Sequence, residues 1–264
     1  MKLDSTASVL LTGANGGIGG AIAREIARTG AKLLLSARRA DAVAPLAKEL
    51  GAKVLIADLD DRASVARLAD DAAEVDVIIA NAALPATGAV LDFTVDEIDR
   101  ALDVNLRAPM TLARRGAERM VARGRGHLVF ISSIAGKVSS RYGAIYSATK
   151  FGMRGFALGL REDLKGTGVG VSTIFPGFIR DAGMFANAGV ELPKGIGTRS
   201  PEDVARAVLR AIDKNPSEIT VAAFEQRFAG VVGSVAPEAI ATMQRVFGGD
   251  KVGDKLAEGQ RSRR

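Results

Sequence analysis

Short runs of consecutive aliphatic residues alternate along the chain with longer stretches whose apolar residues recur at helical spacing. The runs at 8–12 (SVLLT), 32–36 (KLLLS), 53–57 (KVLIA), 76–80 (DVIIA), 127–132 (HLVFIS) and 169–174 predict six strands, with 218–222 as a seventh. Between them, 18–29 carries Ile22, Ala23, Ile26 and Ala27 on one helical face. Further helices are predicted over 41–50, 61–73, 145–165 and from Ser200-Pro201, where serine is an N-cap and proline suits the first turn. Thr94-Val95-Asp96-Glu97 reads as a capping box that opens a long helix towards Ala122. Pro109 within that helix predicts a kink one turn upstream, at Asn105.

Strands that alternate with helices in this way build βαβ units around a parallel sheet. The expectation is an α/β fold: a Rossmann-like, doubly wound parallel sheet of about seven strands flanked by helices, with a C-terminal helical extension. Residues 1–264 read as one domain, without repeats or linkers. Two stretches break the rhythm. Residues 176–199 are glycine-rich and irregular, and 178–199 is expected to be a substrate loop. Residues 224–264 form an extension and tail; Phe224, Phe228, Val231, Val232 and Val235 stand at helical spacing there, and the stripe is expected to cap the core.

Composition narrows the chemistry. With 0 cysteines, disulfides, thiolate metal sites and cysteine nucleophiles are excluded, and 1 histidine, His127, leaves almost nothing for a transition-metal centre. No metal is expected. The formal charge of +6 gathers in short clusters such as Arg38-Arg39, Arg114-Arg115 and a tail of Arg261, Arg263 and Arg264. No aromatic-interleaved basic strand accompanies them, so they read as solvated surface, and no nucleic-acid partner is expected. The polar start is too short for a signal peptide and no apolar run approaches a membrane span, so a cytoplasmic protein without a membrane partner is expected.

The first strand–helix junction is Thr12-Gly13-Ala14-Asn15-Gly16-Gly17-Ile18-Gly19. Gly13 permits a sharp turn, Gly17 a close approach of backbone to a pyrophosphate, and Gly19 close packing of helix on strand. The helix N-terminus then offers unsatisfied N–H groups and a positive dipole end to phosphates. That context points to a dinucleotide site formed by Gly13, Asn15, Gly16, Gly17, Ile18 and Gly19. The second strand ends in Ser36-Ala37-Arg38-Arg39 rather than in an acid. An acid would hold a ribose 2′-hydroxyl, whereas a guanidinium suits a 2′-phosphate, so NADP(H) is favoured over NAD(H). After the third strand, Asp58 and Leu59 are candidates for the adenine end.

With Asn81-Ala82-Ala83, Asn105, Ser133 and Tyr146-Ser147-Ala148-Thr149-Lys150 added, the chain resembles the short-chain dehydrogenase/reductase family in its single-domain form, over about 8–179. Tyr146 and Lys150, four apart on a helix, share a face. An ammonium beside a phenol should lower the phenol's pKa from about 10, fitting Tyr146 as general acid and base. Ser133, thirteen positions before the tyrosine, would bind the substrate oxygen. The resemblance implies that Lys150 also holds the nicotinamide ribose, that Asn105 holds a water linking Lys150 to solvent, and that Asn81 and Pro176-Gly177-Phe178-Ile179 border the cofactor, with the Ile179 backbone at the carboxamide. It implies a homodimer or homotetramer. Departures are Ala83 for the usual glycine and Asp181 for a usual threonine.

The expected function is therefore hydride transfer between NADP(H) and a carbonyl or alcohol substrate. Apolar residues in the expected specificity segments, among them Leu84, Ile134, Val138, Phe178, Met184 and Phe185, suggest a hydrophobic one. A non-catalytic dinucleotide sensor on the same fold, and a nucleic-acid binder driven by the basic tail, are the rival classes.

Overall fold

The computed structural model describes residues 1–183, 197–236, 238 and 249–260. Its sheet has seven strands in the order β3-β2-β1-β4-β5-β6-β7: β1 (Ser8–Thr12), β2 (Lys32–Ala37), β3 (Lys53–Ile56), β4 (Val77–Ala80), β5 (Gly126–Ile131), β6 (Val169–Pro176) and β7 (Glu218–Val221). Every pairing is parallel, from Val9↔Leu33 on one side of β1 and Val9↔Val77 on the other to Ile174↔Ile219 at the far edge. A parallel sheet is covered on both faces, which is why its strands are near-continuous apolar runs. Strand β6 is two residues longer than its pattern suggested, because Phe175 and Pro176 still pair with Thr220 and Val221.

On one face lie α1 (Gly17–Ala27), α2 (Ala40–Leu50) and α7 (Pro201–Lys214), which pack Ile22, Ile26, Val43, Leu46, Val204 and Val208 onto Val9, Leu11 and Val77. On the other lie α3 (Arg62–Asp71), α5 (Ala108–Arg123) and α6 (Ala144–Asp163), which pack Val65, Leu68, Leu112, Met120 and Met153 onto Leu10, Ile78 and Phe130. The chain crosses from one face to the other between β1 and β4, so their carboxyl ends diverge and open a crevice, where ligands of such sheets bind.

The helix expected across 94–122 is broken where proline predicted it. Its first part, α4 (Val95–Leu102), begins with the Thr94–Glu97 capping box, and a π-helical turn, Asp103–Arg107, joins it to α5. Pro109 has no N–H to offer the carbonyl of Asn105, and the wider turn accommodates the gap.

The last helices correct one expectation. The apolar stripe of helix α8 (Phe224–Val235) faces away from the core: Phe224 is 80% and Val235 83% exposed, with Phe228 and Val231 also open. The face it buries carries Gln226 and Gly230. Helix α9 (Gly249–Gln260) follows. Met184, Phe185 and the arginines of the tail lie outside the described residues. No helix among those described is long and apolar enough to cross a membrane, and no cluster of His, Cys, Asp or Glu among them could hold a metal.

Candidate active site

The turn after β1 is shaped by glycines that nothing else could replace. Gly13 has φ +67°, and a Cβ there would lie 2.7 Å from the Cα of Ala82. A Cβ on Gly19 would lie 2.3 Å from the carbonyl oxygen of Gly13, so α1 can rest on the turn only through glycine. Helix α1 starts at Gly17, with Gly16 as an N-cap that offers no side chain and with no acid in the first turn. Its leading N–H groups and positive end are left for an anionic group. At Gly17 the close approach is made by the protein itself: a Cβ would lie 2.3 Å from the Cβ of Ala182, so the segment leaving β6 leans on the turn.

These residues line a cavity of about 830 Å³ in the crevice. Gly13, Asn15, Gly16, Gly17, Ile18 and Gly19 form one wall. Arg38, Asp58, Leu59 and Asn81 also line it. Arg38 and Arg39 differ in a useful way. Arg39 pairs with Asp41 at 3.6 Å, whereas Arg38 is exposed at the cavity edge and pairs with no carboxylate among the described residues. Asp58 spends one carboxylate oxygen on the N–H of Asp60, 3.1 Å away. Asn81 turns its amide inward: Nδ2 donates to the carbonyls of Thr12 at 3.0 Å and Gly13 at 3.1 Å, locking the glycine turn to the end of β4. The cavity size, the uncapped helix end and the free guanidinium fit a dinucleotide with an extra phosphate. Two lining residues gave no signal in the sequence, Gly259 and Gln260 at the end of α9.

Ser133, Tyr146 and Lys150 gather one strand further along, where β5 ends and α6 begins, and they do not line that cavity. Ser133 caps the short 3₁₀ turn Ile134–Gly136 by accepting from the N–H of Ala135 at 3.2 Å, and its hydroxyl is near enough to Tyr146 to favour the ionised phenol. Ser132 instead donates to the carbonyl of Lys150 at 3.2 Å, inside the core. Lys150 is 1% exposed; its Nζ donates to the carbonyl of Ile131 at 3.1 Å and lies 5.5 Å from the centre of the Tyr146 ring.

Burial reverses the expected electrostatics. Loss of water pushes the Tyr146 phenol up to about 12, although the nearby Ser133 hydroxyl works the other way, and lowers the Lys150 ammonium to about 8. Among the causes of the Tyr146 shift, no lowering by Lys150 offsets the burial. Tyr146 stands as a neutral phenol, a proton donor, beside a lysine that titrates close to neutrality.

Asn105 is fully buried on the π turn, and both ends of its amide are taken by Leu84: Oδ1 accepts from the Leu84 N–H at 2.6 Å and Nδ2 donates to the Leu84 carbonyl at 3.0 Å. Its side chain therefore clamps the β4 exit loop. Beyond β6, Gly177 donates to the carbonyl of Val221 at 2.9 Å, which extends the pairing past Pro176. Phe178 and Arg180 carry the bonds to Arg199, so the peptide groups of Ile179 are not used by that bridge. Asp181, at φ +64°, pairs with Arg180 at 3.5 Å.

A charged anchor absent from the sequence reading supports the wall beyond Ser133. Glu218 accepts from Arg154 at 2.6 Å and pairs with Lys137 at 2.7 Å, while Lys137 sits 4.2 Å from the centre of the Phe175 ring. Burial alone would raise the Glu218 carboxyl, but the two cations hold it below the usual range.

Comparison with known proteins adds independent findings. The family profile described as short chain dehydrogenase matches residues 7–192. The ketoacyl reductase HetN of Nostoc sp. is 32% identical, over 95% of this chain and 92% of that protein. Among solved structures, a short-chain dehydrogenase from Sphingobium yanoikuyae in complex with NADPH superposes with a TM-score of 0.76 at 28% identity, covering 88% of this chain and 94% of that one. A short chain dehydrogenase/reductase family protein superposes with a TM-score of 0.78 at 29% identity, over 84% of this chain and 97% of that one.

Proposed function

We propose, since this chain belongs to the short-chain dehydrogenase family, that it is an NADP-linked oxidoreductase interconverting a carbonyl and an alcohol on a hydrophobic substrate, with Tyr146 as the proton carrier. The observation that carries the reading is the meeting of Ser133, Tyr146 and Lys150 at the end of β5, next to a crevice built for a dinucleotide.

The cofactor, when bound, supplies the hydride in reduction and accepts it in oxidation. Everything else falls to the protein. The α1 N-terminus and the glycine turn would hold the diphosphate, and Arg38 would pair with the 2′-phosphate through charge-assisted hydrogen bonds. Asn81 acts through the turn that it locks. Ser133 hydrogen-bonds the substrate oxygen and keeps it within reach of the Tyr146 hydroxyl. In reduction Tyr146 passes its proton to that oxygen, and a phenol held protonated at neutral pH is ready to do so. Lys150 then favours the phenolate that remains, and its own pKa of about 8 allows it to refill the proton. In the other direction the same groups run in reverse.

Ile134 and Val138, which follow Ser133 and lie against Gly230 and Gly233 of α8, and Phe178 are partly buried, and such apolar neighbours favour an apolar substrate body. The similarity to a ketoacyl reductase makes ketoacyl chains one arm of the test. The experiment is a cofactor-oxidation screen with NADPH and NADH against aliphatic, aromatic, steroid, quinone and ketoacyl carbonyls. NADPH-dependent turnover that rises with the apolar size of the substrate is expected. Absence of dinucleotide oxidation across the panel, in either direction, would overturn the reading.

A further inference from the structure

We propose that the C-terminal helix α9 is part of the cofactor site, with the Gln260 side chain accepting a hydrogen bond from a hydroxyl or amide N–H of the bound dinucleotide. The inference rests on the reading of the crevice as a dinucleotide site and adds a wall to it.

Two independent contacts fix where α9 runs. At one end Gly253 is seated against the loop before α6: a Cβ there would lie 3.2 Å from the carbonyl of Arg141 and 3.5 Å from the Tyr142 ring. That loop is itself tied to the β4 exit loop, because the Tyr142 carbonyl accepts from Gly88 at 2.8 Å. At the other end Gly259 and Gln260 line the same cavity as the glycine turn and Arg38. From Gly253 to Gln260 an α-helix rises about 10 Å. One short element thus spans from the edge of the catalytic centre to the cofactor crevice.

Gln260 is 5% exposed, and its Oε1 is buried without a hydrogen-bond partner. A buried amide oxygen is costly to leave unpaired, so this atom points to a donor that no described residue supplies. A dinucleotide offers such donors in its ribose hydroxyls, its carboxamide and its adenine amino group, whereas its phosphates offer only acceptors. The residues that line this cavity belong to the glycine turn, Arg38 and the other cofactor-side positions, while Ser133, Tyr146 and Lys150 do not line it, so the donor is assigned to the dinucleotide.

The test uses the full chain and NADPH. Fluorescence titration should give a dissociation constant about tenfold higher for Gln260→Ala than for the wild type, with faster release in stopped flow and unchanged melting without NADPH. Gly253→Val, which lifts α9 off Arg141 without touching the crevice, should weaken binding in the same direction. In the wild type, NADPH should slow tryptic cleavage after the exposed Lys255. Equal affinities in all three proteins, or cleavage at Lys255 indifferent to NADPH, would overturn the assignment of α9 while leaving the dinucleotide reading intact. A wild type that binds no dinucleotide would overturn both.

Discussion

Replacing Asn105 by alanine separates a clamp from a water carrier. The side chain is fully buried and its two hydrogen bonds, 2.6 and 3.0 Å, satisfy both peptide groups of Leu84. Removing it leaves a buried N–H and a buried carbonyl without partners, each costing about 1–3 kcal/mol. Leu84 is only partly buried, so water recovers some of this, and about 2–4 kcal/mol is the expected net loss. For a protein of this size that lowers the melting temperature by roughly 5–15 °C. Differential scanning calorimetry on Asn105→Ala, alongside NADPH titration, measures both consequences. Because Leu84 and Asn81 belong to one loop, the affinity for NADPH should fall with the stability. Asn105→Asp should behave differently: it keeps the Leu84 N–H bond but sets a carboxylate against the Leu84 carbonyl, so its deficit should shrink on acidification. Melting within about 2 °C of the wild type, combined with lost turnover, would refute the clamp and return the residue to a purely catalytic role.

Further outcomes follow from the same geometry. Arg38→Ala should weaken NADPH by about 10–100-fold while leaving NADH within a factor of about two, read by paired titrations, because only the 2′-phosphate loses a charge-assisted partner. Lys150→Met should abolish turnover yet melt higher than the wild type at pH 7: the lysine pKa falls from 10.5 to about 8 on folding, so the folded state pays a penalty that fades as pH rises through 8 towards 10.5. The gap in melting temperature should therefore close by pH 10. His127, buried against Ser172 at 3.0 Å and lowered to about 3 by desolvation, contributes stability above pH 6.5 that is lost as pH falls towards 3. Urea unfolding of His127→Gln should show a shallower acid slope than the wild type.

Much of this was legible because the physics is local. A strand buried on both faces must be continuously apolar, a capping box must carry its acid at the third position, and a turn against backbone must use glycine; β4, Thr94–Glu97 and Gly19 each announced themselves in that way. Pro109 marked the break at Asn105 because a missing N–H is a property of one residue. What spacing cannot express is surroundings. Helical periodicity showed that α8 has an apolar face but not what it meets, and Phe224 proved exposed. Four residues of separation put Tyr146 and Lys150 on one face, but the loss of water around them, which sets the direction of both pKa shifts, depends on everything packed there. Asn105 carried no sign that its amide would be consumed by Leu84, and nothing in the polar end of α9 told that Gln260 reaches a crevice formed far earlier in the chain.

Tyr146→Phe tests the reading at its centre, since it deletes one oxygen and leaves the ring in place. NADPH should bind this variant within about twofold of the wild type, and turnover of the best ketone should fall by about 10²–10⁴-fold, the range for loss of a positioned acid. Turnover within a few-fold of the wild type at equal NADPH affinity would mean that some other group carries the proton.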